Sequence, residues 1–206
     1  QGDKTGKIHA MDALSGALLW TAQLDGECAS PAIGDLNSDG KLEICIATGA
    51  GKVYAVSATG VVLWSVDLGS PSPDWSTCSP VIFTGSDGNQ YVAAGARSGR
   101  FVCLNARGEL VWERDLRGAI ASTISVSDFD SDGIADIFVV TQLGMLYRFD
   151  ETGRVIWDID TQGRSLAAGA IVDVDGDSAL EYVLCTQNGN LLVFNQTGEI
   201  TFNHQF

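Results

Sequence analysis

Three stretches of the chain place oxygen donors at alternate positions: DLNSDGKLE (Asp35–Glu43), DFDSDGIAD (Asp128–Asp136) and DVDGDSALE (Asp173–Glu181). They hold 11 of the 26 acidic residues, so the acidity is local rather than spread over a surface. Carboxylates this close repel one another unless a cation neutralises them, and a hard cation such as calcium takes about six to eight oxygens. If the backbone coils round an ion, the side chains at the first, third, fifth and ninth places converge on it. Those are Asp35, Asn37, Asp39 and Glu43; Asp128, Asp130, Asp132 and Asp136; and Asp173, Asp175, Asp177 and Glu181. The seventh place adds a backbone carbonyl, from Lys41, Ile134 or Ala179. Glycine at the sixth place allows the sharp turn, as at Gly40 and Gly133. In the third stretch Ser178 stands there, with Gly176 two places earlier.

An acidic turn capped by its own side chains is the plainer reading, but a turn would not need every carboxylate. An EF-hand is excluded, because its loop ends on a bidentate Glu at the twelfth place between helices. Here that place is Ile46, Val139 or Leu184, and the flanks alternate as strands do. The stretch FTGSDGNQY (Phe83–Tyr91) occupies the corresponding place in another part of the chain. It is one residue shorter and keeps only Asp87, so no ion is expected there. Three calcium ions would bring the net charge from −14 to about −8. Extracellular calcium modules bind at about 10⁻⁴–10⁻³ M, which predicts an extracellular, periplasmic or cell-surface location.

The elements that position these loops repeat along the chain. Tryptophans stand at 20, 64, 112 and 157, and Phe202 continues the series. Aligned on them, GKIHAMDALSGALLW, GKVYAVSATGVVLW, GRFVCLNARGELVW, GMLYRFDETGRVIW and GNLLVFNQTGEITF each read as a β-hairpin ending in an aromatic. Two further strand-like runs lie between successive hairpins, such as ASPAIGDL and LEICIAT. Four strands per roughly 45 residues predicts an all-β chain of propeller blades.

The segment AMDALSGALLW resembles the A-x-D-x-x-x-G-x-x-x-W repeat of quinoprotein-type, PQQ-like propellers. Later copies are one residue shorter, with Ser57, Asn105, Asp150 or Asn195 in the Asp place. The resemblance implies that the motif joins the third and fourth strands of a blade and that the indole docks on a neighbouring blade. The acidic stretches resemble the FG-GAP calcium loops of integrin-type propellers, which implies calcium between the first and second strands. In this frame residues 27–70, 71–118, 119–161 and 162–206 are full blades. Residues 1–26 are the third and fourth strands of a partial one. The expectation is a piece of a larger propeller, completed by a missing segment or by another chain. The start at Gln1 fits a mature, trimmed or excised polypeptide.

Catalytic signals are few. Both histidines, His9 and His204, fall in end segments. PQQ dehydrogenases use a vicinal Cys-Cys pair, and the five cysteines here are never adjacent, so no PQQ is expected. Most cysteines sit in apolar runs as small hydrophobes, although a Cys28–Cys78 bridge is left open by their similar repeat positions. The net charge of −14 argues against a nucleic-acid partner, and no apolar run reaches the length of a membrane span. The expected role is a binding or scaffolding module without catalysis of its own. A calcium-dependent polysaccharide lyase is the competing enzyme reading. For a protein or carbohydrate ligand, the candidate contacts lie opposite the acidic loops. Trp75 in GSPSPDWST offers a flat apolar plate, and Arg97, Arg100, Arg117 and Arg164 offer guanidiniums.

Overall fold

Alternating sequence runs become a chain made of strands in the computed structural model, which describes residues 2–69, 78–165 and 168–206. Every regular element among the described residues is a strand, and no helix is long and apolar enough to cross a membrane. The first sheet pairs β1 (Lys7–Met11) with β2 (Leu18–Gln23). Four antiparallel four-stranded sheets follow, each with its strands in chain order. They are β3 (Ala32–Gly34), β4 (Glu43–Thr48), β5 (Lys52–Val56) and β6 (Val62–Asp67); then β7 (Val81–Thr84), β8 (Gln90–Gly95), β9 (Arg100–Asn105) and β10 (Leu110–Asp115). The last two are β11 (Ser125–Ser127), β12 (Asp136–Val140), β13 (Met145–Phe149) and β14 (Val155–Asp160), and β15 (Ala170–Val172), β16 (Glu181–Cys185), β17 (Asn190–Phe194) and β18 (Ile200–Gln205). The architecture is the expected propeller of four full blades and a partial one.

The core lies between successive sheets, because the inner strands bury both faces. All five residues of β12 and all five of β13 are buried. Ile8, Ala22 and Leu24 of the first unit meet Ile46, Tyr54 and Val56 of the next, and three further clusters fill the later junctions. All five cysteines are free thiols, so Cys28 and Cys78 are not bridged.

The repeat motif explains how each blade seals onto the next. Its Asx or Ser side chain caps the turn: Asn105 Oδ1 accepts from the N–H groups of Arg107 and Glu109, and Asp150 Oδ1 from those of Thr152 and Arg154. The strand after the turn carries a one-residue bulge, so Trp64 pairs with Ala55 while Val62 pairs with Val56. The bulge leaves Leu63 outward and aims the indole at the following blade. There the indole N–H donates to a turn carbonyl: Trp20 to Ala58, Trp64 to Ala106, Trp112 to Glu151 and Trp157 to Gln196, at 2.8–3.1 Å. The tryptophans are structural, as their rhythm implies. Phe202, last in the series, is 50% exposed.

Candidate metal loops and the surfaces around them

Each acidic stretch sits where a blade turns from its first strand into its second, joining β3 to β4, β11 to β12 and β15 to β16. The ninth residue of each, Glu43, Asp136 or Glu181, opens the second strand and is buried. Its carboxylate reaches back across the loop to the N–H of the second residue. Glu43 accepts from Leu36 at 3.0 Å, Asp136 from Phe129 at 3.0 Å and Glu181 from Val174 at 2.8 Å.

The first-place carboxylate organises the rest of the loop. Asp35 accepts from the N–H groups of Asp39 and Gly40, Asp128 from that of Gly133, and Asp173 from those of Gly176 and Ser178. The fifth-place carboxylate accepts from the N–H of the seventh residue: Asp39 from Lys41, Asp132 from Ile134 and Asp177 from Ala179, each at 2.8 Å.

Two residues per loop take left-handed backbone, at the fourth and sixth places. These are Ser38 and Gly40, Ser131 and Gly133, and Gly176 and Ser178. The third stretch has therefore exchanged its glycine and serine between the two places and kept the same coil. Non-glycine residues adopt this region rarely, so the one serine in each loop that does so, Ser38, Ser131 or Ser178, marks a fixed shape.

The coil brings the donors together. In the second and third loops, oxygens of Asp128, Asp130 and Asp132, and of Asp173, Asp175 and Asp177, lie within 4.8 Å of one another. In the first, Asp35 and Asn37 both accept from the N–H of Asp39, so the amide oxygen of Asn37 takes the place of a third carboxylate. An all-oxygen donor set with an internal turn fits a hard cation of the calcium class. In the degenerate loop, Asp87 instead accepts from Asn89 and from the Tyr91 hydroxyl, as a turn would.

The second loop has a partner that the motif does not announce. Arg148 of β13 is 3% exposed and points its fork at two of the loop's carboxylates. Nε donates to Asp136 Oδ1 at 2.8 Å, and Nη2 donates to Asp136 Oδ2 at 2.9 Å and to Asp130 Oδ2 at 2.5 Å. Nη1 donates to the Gln196 carbonyl of the next blade at 2.9 Å. Burial works against the charge, but the bonds to Asp136 and Asp130 outweigh it and raise the pKa of Arg148 above the usual guanidinium value. An arginine in the apolar run MLYRF was the available signal, since a charge inside such a strand needs a buried partner.

The proposed ligand surface is less unified. Trp75 lies outside the described residues. Arg100 is held by Glu113, at 2.8 and 3.0 Å, and by the Asp67 carbonyl. Arg164 donates to the Gln142 carbonyl at 3.3 Å, and Arg117 is exposed. Arg97 is half-buried and has a partner of its own. Nearby, Asp25 receives Lys52 Nζ at 2.6 Å, Thr48 Oγ1 at 3.2 Å and the Tyr54 hydroxyl. A cavity of about 800 Å³ opens on the last blade, lined by Val183, Leu191, Val193 and Phe202 together with Asp175 and Asp177.

The sequence profile of the family described as outer membrane protein assembly factor BamB matches residues 1–74 and 49–205. Among curated proteins no relative is found. BamB from Moraxella catarrhalis superposes with a TM-score of 0.75 at 22% identity, over 99% of this chain and 60% of that one. The V. cholerae biofilm matrix protein Bap1 gives 0.74 at 18% identity, over 100% of this chain and 34% of that one. Quinohemoprotein alcohol dehydrogenase from Comamonas testosteroni gives 0.73 at 15%, over 98% and 40%. At these identities the likeness concerns the fold, and this chain spans less than two thirds of each structure.

Proposed function

The chain belongs to the family described as outer membrane protein assembly factor BamB, and from that premise we propose that it is a calcium-stabilised, extracytoplasmic binding or scaffolding module. The family's description supports a place in or outside the cell envelope and a partner that is itself a protein. The observation that carries the calcium part is the convergence of Asp173, Asp175 and Asp177 within 4.8 Å in a loop with two left-handed backbone positions, Gly176 and Ser178. Calcium there would tie the turn between β15 and β16, and the equivalent ion at Asp35, Asn37, Asp39 and Glu43 would tie β3 to β4. Both loops would then be rigid at the rim of the ring, and the opposite rim is free to vary for recognition.

The open cavity on the last blade supports a further part of the reading. At the four internal junctions a glycine turn covers the aromatic. Among the described residues no glycine turn covers Phe202, and none of their atoms lies within 4 Å of where a Cβ on Gly16 would stand. We propose that these are two halves of a junction made with further blades, from another segment or another chain.

Scanning calorimetry with and without EDTA tests the calcium part. The module reading expects a melting temperature that falls on chelation and responds less to chelation in Asp175→Asn and Asp177→Asn. The enzyme alternative is tested with a panel of acidic polysaccharides. No cleavage is expected, and release of unsaturated sugar that is lost in Arg97→Ala would overturn the module reading in favour of a lyase.

A further inference from the structure

The position of Arg148 sets one acidic loop apart from the other two. Arg148 stands opposite Phe138 in the β12–β13 register. The corresponding residues of the other blades, opposite Cys45, Ala93 and Val183, are Ala55, Cys103 and Val193. A guanidinium in this position is thus confined to the third blade. Its effect shows in how the ninth-place carboxylates are used. Glu43 and Glu181 each accept one backbone N–H through Oε2. Asp136 accepts the Phe129 N–H and two bonds from Arg148, so both of its oxygens are committed. One oxygen of Asp130, at the third place, is also taken. Two of the four side chains that would ligate an ion in this loop already answer to an internal cation.

We propose that Arg148 is the resident cation of the Asp128–Asp136 loop, which therefore folds without metal, while the Asp35–Glu43 and Asp173–Glu181 loops depend on it. A bidentate fork matches a carboxylate in shape and charge. The burial of Arg148 keeps solvent and salt from screening the pair. The same side chain also crosses to the next blade. Arg148 donates to the Gln196 carbonyl, Gln196 Nε2 donates to the Phe129 carbonyl at 3.0 Å, and the guanidinium lies 5.1 Å from the Phe129 ring centroid. The loop is thereby fastened to the third–fourth-strand turn of the following blade, a link the other two loops lack among the described contacts.

This inference rests on the calcium reading for the first and third loops, and its test separates the two. Amide hydrogen exchange by NMR reports the three equivalent N–H groups, Leu36, Phe129 and Val174, in calcium and in EDTA. Chelation is expected to speed exchange at Leu36 and Val174 at least tenfold and to leave Phe129 within about twofold. In Arg148→Met, Phe129 should exchange at least tenfold faster in EDTA. Equal loss of protection at all three amides of the wild-type protein on chelation would overturn the proposal, and that comparison needs no variant to fold. If no amide responds to EDTA while Arg148→Met still exposes Phe129, the calcium reading fails and the role of Arg148 stands.

Discussion

Gly153 lies flat against the indole of Trp112, so close that a Cβ on the glycine would stand 2.6 Å from Cδ2. The same relationship joins Gly60 to Trp20 and Gly108 to Trp64, each with a closest approach of 2.7 Å. Each glycine also has positive φ, +77° at Gly153. Turn and indole therefore form one part, and the spacing between aromatic and glycine in the sequence is the spacing of a blade junction.

Gly153→Ala should cost about 2–4 kcal/mol, the sum of left-handed strain and overpacking against the ring. Gly16→Ala has the same sign of φ but meets nothing within 4 Å, so it should cost only about 1 kcal/mol. Urea denaturation of both variants measures the difference.

Trp112→Phe keeps most of the buried ring and removes the 2.8 Å bond from Nε1 to the Glu151 carbonyl. A loss of about 1–3 kcal/mol is expected, because that carbonyl is left without its donor. Chemical denaturation of this variant beside Trp20→Phe shows whether the cost recurs at each junction.

Asp25 predicts a pH dependence. Burial works against its charge, yet Lys52, Tyr54 and Thr48 together hold its pKa below the usual carboxylate value. Its contribution is complete above the unfolded value and disappears as pH falls through the lower folded value. The side chain is 39% exposed, so the contribution is about 1 kcal/mol or less. Melting curves from pH 6 downward should show a shallower acid limb in Asp25→Asn than in the wild-type protein.

The thiols should sort by burial. Burial pushes Cys45, Cys78 and Cys103 up to about 12, and only a thiolate attacks an alkylating reagent at a useful rate. Cys185 is exposed and should be alkylated first at pH 8. Cys28 should follow slowly, and the other three only when the chain unfolds, as peptide mass spectrometry would record.

Much of this was legible in the sequence because its physics is local. A capped turn needs Asx and glycine at fixed separation, and an indole of fixed reach repeats with the blade, so fold and period could be read together. The acidic loops were legible for the same reason, since nine residues carry the whole coil. Even the exchanged Gly176 and Ser178 fit once two left-handed places are required instead of one. Arg148 was different. Its partners stand 12 and 18 residues away, and only the β12–β13 register brings them together. The loop with the fullest set of aspartates is therefore the one with an internal cation, a distinction that motif spacing could not make. The arginines proposed as a ligand surface were read one loop at a time, and the fold gives Arg100 and Arg164 separate partners.

Calcium occupancy is measured by a calorimetric titration of chelator-stripped protein with calcium, with the melting temperature taken before and after. Two binding events are expected, at the Asp35–Glu43 and Asp173–Glu181 loops, with a clear rise in melting temperature. No heat of binding and no change in melting temperature would contradict the calcium reading.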